Sequence, residues 1–268
     1  MYGLDFYEKT AMMGRNFIAF QKMRIAAGAR VRRFREEDQS KELIKIQLDY
    51  IRVLTKDEKL LLKQIVDLYK DSLLWAWCER TKGLGPMACA TFVGFINPYI
   101  ADTAGKAKAY MGLIPDATLK AGEQSKFNPG ARGRMYVVTT NIIRAQDPYY
   151  SQLYHQKKEY YLERMNAYLD DPKLCPQYES CGKRYETAAK KRALRDAKTK
   201  GLKLRPADLT PEMIKPFLKK PSCKAHIDNM AKRWLSGILV SHATELMRRE
   251  EGLDISAFHA HKGYIPIP

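Results

Sequence analysis

No stretch of this chain approaches the run of about 18 apolar residues that a bilayer-spanning helix needs. Its opening residues, Met1-Tyr2-Gly3-Leu4-Asp5, lack the basic segment and apolar stretch of a secretory leader. Both absences predict an intracellular protein, in cytoplasm or nucleoid, with no membrane partner. Cysteine is scarce and odd in number, with five residues in 268. That argues against a disulfide framework and leaves metal ligation or buried thiols as the uses of these side chains. Acidic residues are outnumbered, 30 against 47 Lys+Arg, for a formal charge of +17. Such a surplus makes phosphate the first partner to consider. Apolar residues are not scarce: 45% of the chain is hydrophobic, with sixteen tyrosines and three tryptophans. That mass excludes a disordered polycation and predicts a folded core.

Helical spacing dominates the rest, and the chain reads as mainly α. Residues 1–40 form a basic helical segment in which Arg30, Arg32 and Arg33 could track a phosphate backbone, although a solvated face is the plainer reading. Residues 41–79 carry apolar side chains at helical intervals. Thr55 followed by Glu58 has the form of a capping box, which predicts a break there and a helical pair or coiled coil, with a homo-oligomer as the consequence. Residues 80–170 open on Thr81-Lys82-Gly83-Leu84-Gly85-Pro86, where two glycines permit a tight turn and Pro86 suits the first turn of a helix. This is the form of a helix-hairpin-helix, which would aim the Gly83, Leu84 and Gly85 amides at phosphate while Lys82 adds charge. The segment from Lys120 to Arg134 reads as a flexible basic loop offering Lys126, Arg132 and Arg134. A helix that stops at Asp147-Pro148 follows it, and then a tyrosine-rich helix whose rings serve packing more readily than base stacking.

Residues 171–252 hold a basic insert with Lys190, Lys191 and Arg192, then a helix from His226 to Arg249 with an amphipathic pattern. Cys175, Cys181, Cys223 and His226 are four side chains of the kind that structural zinc takes, and four protein ligands would leave no position for an activated water. The alternative is a set of buried thiols with His226 capping a helix. His242, His259 and His261 are weaker ligand candidates, and Cys78 and Cys89 read as core. Residues 253–268 read as a loosely ordered tail.

With these motifs in order, the chain resembles the C-terminal domain of the Piv-like, bridge-RNA-guided insertion-sequence transposases, which join a RuvC-like DEDD domain to a helical, serine-bearing one. Lys82-Gly83-Leu84-Gly85-Pro86 matches the family's Pro-Gly-Ile-Gly hairpin, and Ala88 and Ala90 its helix. Ala109-Tyr110-Met111-Gly112-Leu113-Ile114-Pro115 matches its Ala-Tyr-Ala-Gly-Leu-Xaa-Pro segment, and Arg132-Gly133-Arg134 stands at its basic turn. The resemblance covers roughly residues 41–165 and part of the last helix, and it implies DNA handling in recombination of a mobile element. The departures imply loss of catalysis. Ala121 stands where the family's serine nucleophile is expected, with Ser125 only a displaced candidate, and the forty or so residues before the helical pair are too few for a RuvC-like fold. The expectation is a non-catalytic protein that binds DNA, with structured RNA as the alternative ligand. A strand-transferring recombinase or accessory subunit is the second reading, and a structural assembly protein the third.

Overall fold

The structure, a computed structural model, describes residues 2–114, 124–175, 178–202, 204–218, 224–260 and 263–268. Among these residues the regular structure is helical, without a strand. The helices are α1 (Leu4–Glu36), α2 (Lys41–Tyr69), α3 (Leu73–Arg80), α4 (Gly85–Phe95), α5 (Ala104–Tyr110), α6 (Pro129–Ala145), α7 (Tyr150–Arg164), α8 (Asn166–Asp170), α9 (Tyr178–Thr199), α10 (Pro211–Ile214), α11 (Lys224–Glu250) and α12 (Ser256–His259). They divide into two compact units, Met1–Tyr154 with Lys232–Pro268, and His155–Ala231. Residues 1–40 and 41–79 both belong to the first.

In the first unit α1 and α2 form an antiparallel hairpin. The hydroxyls of Thr10 and Tyr69 share a hydrogen bond of 2.9 Å near its base, and Arg24 bonds both oxygens of Glu58 further along, at 2.6 and 3.2 Å. That pair explains why no break occurs at Thr55. Glu58 is spent across the hairpin and not on a cap, while Thr55 Oγ1 donates to Ile51 O inside an unbroken helix. The expected break falls instead after Tyr69, where Ser72 accepts from Trp75 N and starts α3. α1 also crosses α4, with Gly14 against Gly94 at the point of contact.

α11 runs through the core, so its amphipathic pattern is overridden. From Leu235 to Met247 nearly every residue is buried, including Ser236, His242, Thr244 and Glu245. Each of these polar groups has a partner, as burial requires. Ser236 pairs with Thr139, and Glu245 accepts from Arg249, His259 and Tyr264. Trp77 Nε1 donates to Tyr150 OH at 2.9 Å, Tyr150 OH lies 2.7 Å from His242 Nδ1, and His242 Nε2 lies 2.8 Å from Ile265 O. A carbonyl can only accept, so Nε2 carries a proton, and the Tyr150 hydroxyl, which accepts from the indole, can donate to Nδ1 of the neutral ring that burial favours. Burial pushes the His242 pKa down to about 4.

The last contact corrects the expectation of a loose tail. Tyr149 OH donates to Pro266 O and Arg80 to Pro268 O, so residues 263–268 lie docked against α3, α11 and the turn before α7. Cys78 and Cys89 are free, fully buried thiols, as expected.

The second unit is built around α9, whose buried face is a stripe of Ala189, Ala193 and Ala197, and around a cluster in which Cys175 and Ile227 pack with Tyr161, Leu162, Met165 and Tyr178. Lys158 reaches Asp228 at 3.3 Å.

Candidate nucleic-acid interface

The turn between α3 and α4 is built for contact with the protein itself. Gly83 has φ +90°, and a side chain there would meet Asn141 O at 2.7 Å and Ile142 Cα at 2.8 Å, so the turn lies directly on α6. The Lys82 amide donates to Asp147 Oδ2 at 3.1 Å, and the Leu84 amide to Thr81 O at 3.2 Å. Asp147 is buried, and its other oxygen accepts from the Tyr149 and Tyr150 amides at the start of α7. A carboxylate of the fold thus receives the Lys82 amide, and Leu84, expected to offer its amide to phosphate, is buried with that amide already spent. What this turn leaves exposed for a ligand is chiefly the Lys82 side chain. Asp147 was legible only as part of a helix stop; its role depends on a contact 65 residues away.

The charge gathers elsewhere, at the N-terminal end of α6. Asn128 Oδ1 caps this helix by accepting from Ala131 N, and Pro129 fills its first position. Residues 129–134, expected within a flexible loop, are therefore helical. The cap brings Arg132 and Arg134 into register with cations from two distant parts of the chain. From α1, the Lys22 ammonium lies 3.8 Å from where a Gly130 side chain would begin, and Gln21 accepts from Arg134. From α11, Lys232 sits 5.3 Å from the centre of the Tyr136 ring, and Arg233 lies near enough to Arg132 for repulsion to act on it. Burial, and then the Arg233 charge, lower the Arg132 pKa. Burial does the same to Arg134, against an opposing pull from Glu58. Arg134 Nε is buried and has no hydrogen-bond partner. Arg132 stacks over Phe127 at 5.2 Å, and Lys126 beside it is exposed.

No family model, curated protein or solved structure matches this chain. The site therefore stands on its own geometry. Lys22, Lys232 and Arg233 had no mark in the sequence that set them apart from other surface cations. Within the first unit the expected residues do not form one surface. Nine residues of α6 separate Arg132 from the Asn141 contact of the Gly83 turn, about 13 Å at 1.5 Å per residue. Arg30, Arg32 and Arg33 are exposed near the C-terminal end of α1, where Arg33 lies 3.8 Å from Glu37. Lys190, Lys191 and Arg192 are exposed on α9 in the second unit, with Lys190 2.7 Å from Glu186.

Ser125, the displaced nucleophile candidate, spends its hydroxyl on a local turn, donating to Phe127 O at 2.7 Å and accepting from Phe127 N at 3.3 Å. Ala121 lies outside the described residues, as do Cys223, the side chain of Cys181, and His261. Cys175 is buried against Ile227, the residue after His226. Among the described residues no three His, Cys, Asp or Glu side chains form a group able to hold a metal ion. No described helix is long and apolar enough to cross a membrane.

α2 carries two apolar seams. Leu54, Ile65 and Tyr69 are buried within the unit. Leu43, Ile46, Tyr50, Val53 and Leu60, at steps of three, four, three and seven residues, remain exposed, Ile46 at 60% and Val53 at 57%. These are coiled-coil intervals.

Proposed function

We propose that this protein binds nucleic acid, DNA foremost, along the phosphate backbone and with low sequence specificity, and that it is related to the helical, serine-bearing domain of the Piv-like transposases. The observation that carries this reading is the convergence of Lys22, Arg132, Arg134 and Arg233 from three helices at the N-terminus of α6, where the helix dipole adds to the positive field. Arg132 and Arg233 lie near enough for their charges to act on one another, and guanidinium groups so placed suit phosphate oxygens, contacts that position a backbone without reading bases. The hairpin then serves as a brace for α6, and Lys82 as an outlying charge. This reading assigns the chain no catalytic centre of its own. The recombinase alternative draws on Ser125, whose hydroxyl is already committed to Phe127, or else on a tyrosine or on carboxylates supplied by another chain.

Affinity for a mixed-sequence duplex should fall about 10³-fold between about 50 and 200 mM salt, and replacing Arg132 and Arg233 with alanine should reduce the slope of log K against log salt by about 2. Titrations at several salt concentrations give both numbers. A slope near zero, or one that the double substitution leaves unchanged, would sink the assignment.

The same proposal includes a homodimer through the exposed seam of α2 and a structural zinc held by Cys175, Cys181, Cys223 and His226. Native mass spectrometry reads the two together. A dimer that reverts to monomer on Ile46→Glu with Val53→Glu is expected, with a zinc ion per chain that Cys175→Ser removes. A zinc-free monomer counts against both.

A further inference from the structure

Beside the crossing of α1 and α4, the first unit contains a groove of about 720 Å³. Its floor is made of small side chains and glycine, with Ala11, Gly94, Ala101 and Ala107 among them, and Phe95 and Tyr110 stand among its walls. This volume lies within the range of about 300–1,000 Å³ typical of small-ligand sites. The Gly14–Gly94 contact draws the two helices together beside it, so the slot is a product of the packing itself.

We infer that this groove receives a single unstacked nucleobase from the nucleic acid whose phosphates lie on the basic end of α6. The inference rests on the proposed function and extends it from the backbone to a base. Three observations lead to it. First, a wall of the groove is tied to the helix end that carries the basic cluster: Asn128, the cap of α6, donates from its backbone to Tyr110 O at 2.8 Å and from its side chain to Tyr110 OH at 3.1 Å. Second, the rim is polarised along α1. Glu8 stands at one end and Arg15 at the other, and Lys22 follows Arg15 by two turns, about 10 Å, in the direction of the cluster. Lys106, on the α5 side, is neutralised by Asp102 at 2.6 Å. A backbone on Lys22 and Arg132 would therefore enter at the Arg15 end and be kept from the Glu8 end. Third, the lining suits a flat aromatic ring with polar edges. Phe95 and Tyr110 offer faces for stacking. Asn97 offers an amide whose oxygen already accepts from Tyr99 N, which leaves its nitrogen to donate to a base edge. Ile100, 71% exposed, is placed to cover such a ring.

The test compares a matched DNA duplex with the same duplex carrying one bulged purine, using the full chain and two groove variants. Ile100→Glu places a carboxylate at an exposed mouth position, and Ala109→Trp fills the slot from a half-buried one, so a folding failure of the second leaves the first to report. The bulged probe is expected to bind about tenfold more tightly than the matched one, the scale of one base stacked on an aromatic side chain. Either variant should erase that advantage without changing affinity for the matched duplex, and Arg132→Ala should weaken both probes alike. Equal affinity of the wild type for the two probes, or an advantage that survives in both variants, overturns the groove assignment and leaves backbone binding intact. Failure of the wild type to bind either probe overturns both.

Discussion

Replacing Gly14 with alanine is expected to destabilise the protein by about 3 kcal/mol, although alanine is the better helix former. The added Cβ would lie 2.6 Å from Ala90 O and 2.7 Å from both Cα and N of Gly94. These are backbone atoms of α4 and cannot rotate away, so α1 and α4 must separate along their contact. Phe17 and Ile18 on α1, and Ala90 and Val93 on α4, are buried along that region and would lose close packing. Gly28 on the same helix provides the control. A Cβ there meets nothing within 4 Å, so Gly28→Ala should leave stability unchanged or raise it by about 0.5–1 kcal/mol. Urea unfolding followed by helical circular dichroism distinguishes the two. Equal midpoints for the two variants would mean that the α1–α4 crossing is not as close as described.

The second large effect is expected at Glu251. α1 begins after Gly3 without a side-chain cap of its own, and the two amides that lead into it are satisfied from the other end of the chain. Glu251 accepts from Tyr2 N at 2.7 Å and Gly3 N at 3.1 Å, and also from Tyr7 OH at 3.2 Å and Tyr99 OH at 2.6 Å. Glu251→Ala would leave the buried Tyr7 hydroxyl and two backbone donors without this acceptor, for a loss of about 3 kcal/mol or more at neutral pH. Glu251→Gln retains an acceptor oxygen and should lose less.

The acid dependence separates this group from His242. Burial alone would raise the Glu251 pKa, but the hydrogen bonds from Tyr99, Tyr2, Gly3 and Tyr7 outweigh it and hold the carboxyl below its ordinary value. Its contribution is therefore complete above the unfolded carboxyl pKa of about 4.3 and is lost as pH falls through the lower folded value. His242 behaves differently because its folded form resists the proton. With a folded value of about 4 and an ordinary one of 6.5, the unfolded chain binds more protons in between. Stability then declines as pH falls from about 6.5 to 4, by about 3 kcal/mol in all. Glu251→Ala should keep that upper decline and lose the lower one. A variant whose stability still falls like the wild type below the carboxyl range would show that Glu251 is not the group responsible.

Several features of the fold are legible from neighbouring residues because the physics that sets them is local. Gly85-Pro86 starts α4 through the fixed φ of proline, and Asn128-Pro129 starts α6 in the same way, although the glycines and cations around it read as a loop. Asp147-Pro148 follows the end of α6, where Gln146 takes the left-handed conformation. Thr55 shows where local reading fails. Its capping-box pattern is genuine, but Arg24 competes for Glu58 and helix continuation wins, a result decided by a residue 34 positions away.

The sequence by itself determined that this is a mainly helical, strongly basic protein with a tight Gly83–Gly85 turn, because charge, helical period and the freedom of glycine at positive φ are properties of residues and their near neighbours. Only the tertiary structure decided what the turn touches, where the tail lies and which cations share a surface. The turn rests on α6 with its Lys82 amide held by Asp147, and Lys22, Arg132 and Arg233 meet although most of the chain lies between the first and the last. The physical reason is that a cation on a helix surface looks the same in sequence whether it faces solvent or another cation. Close approach between helices, not composition, determines which it faces.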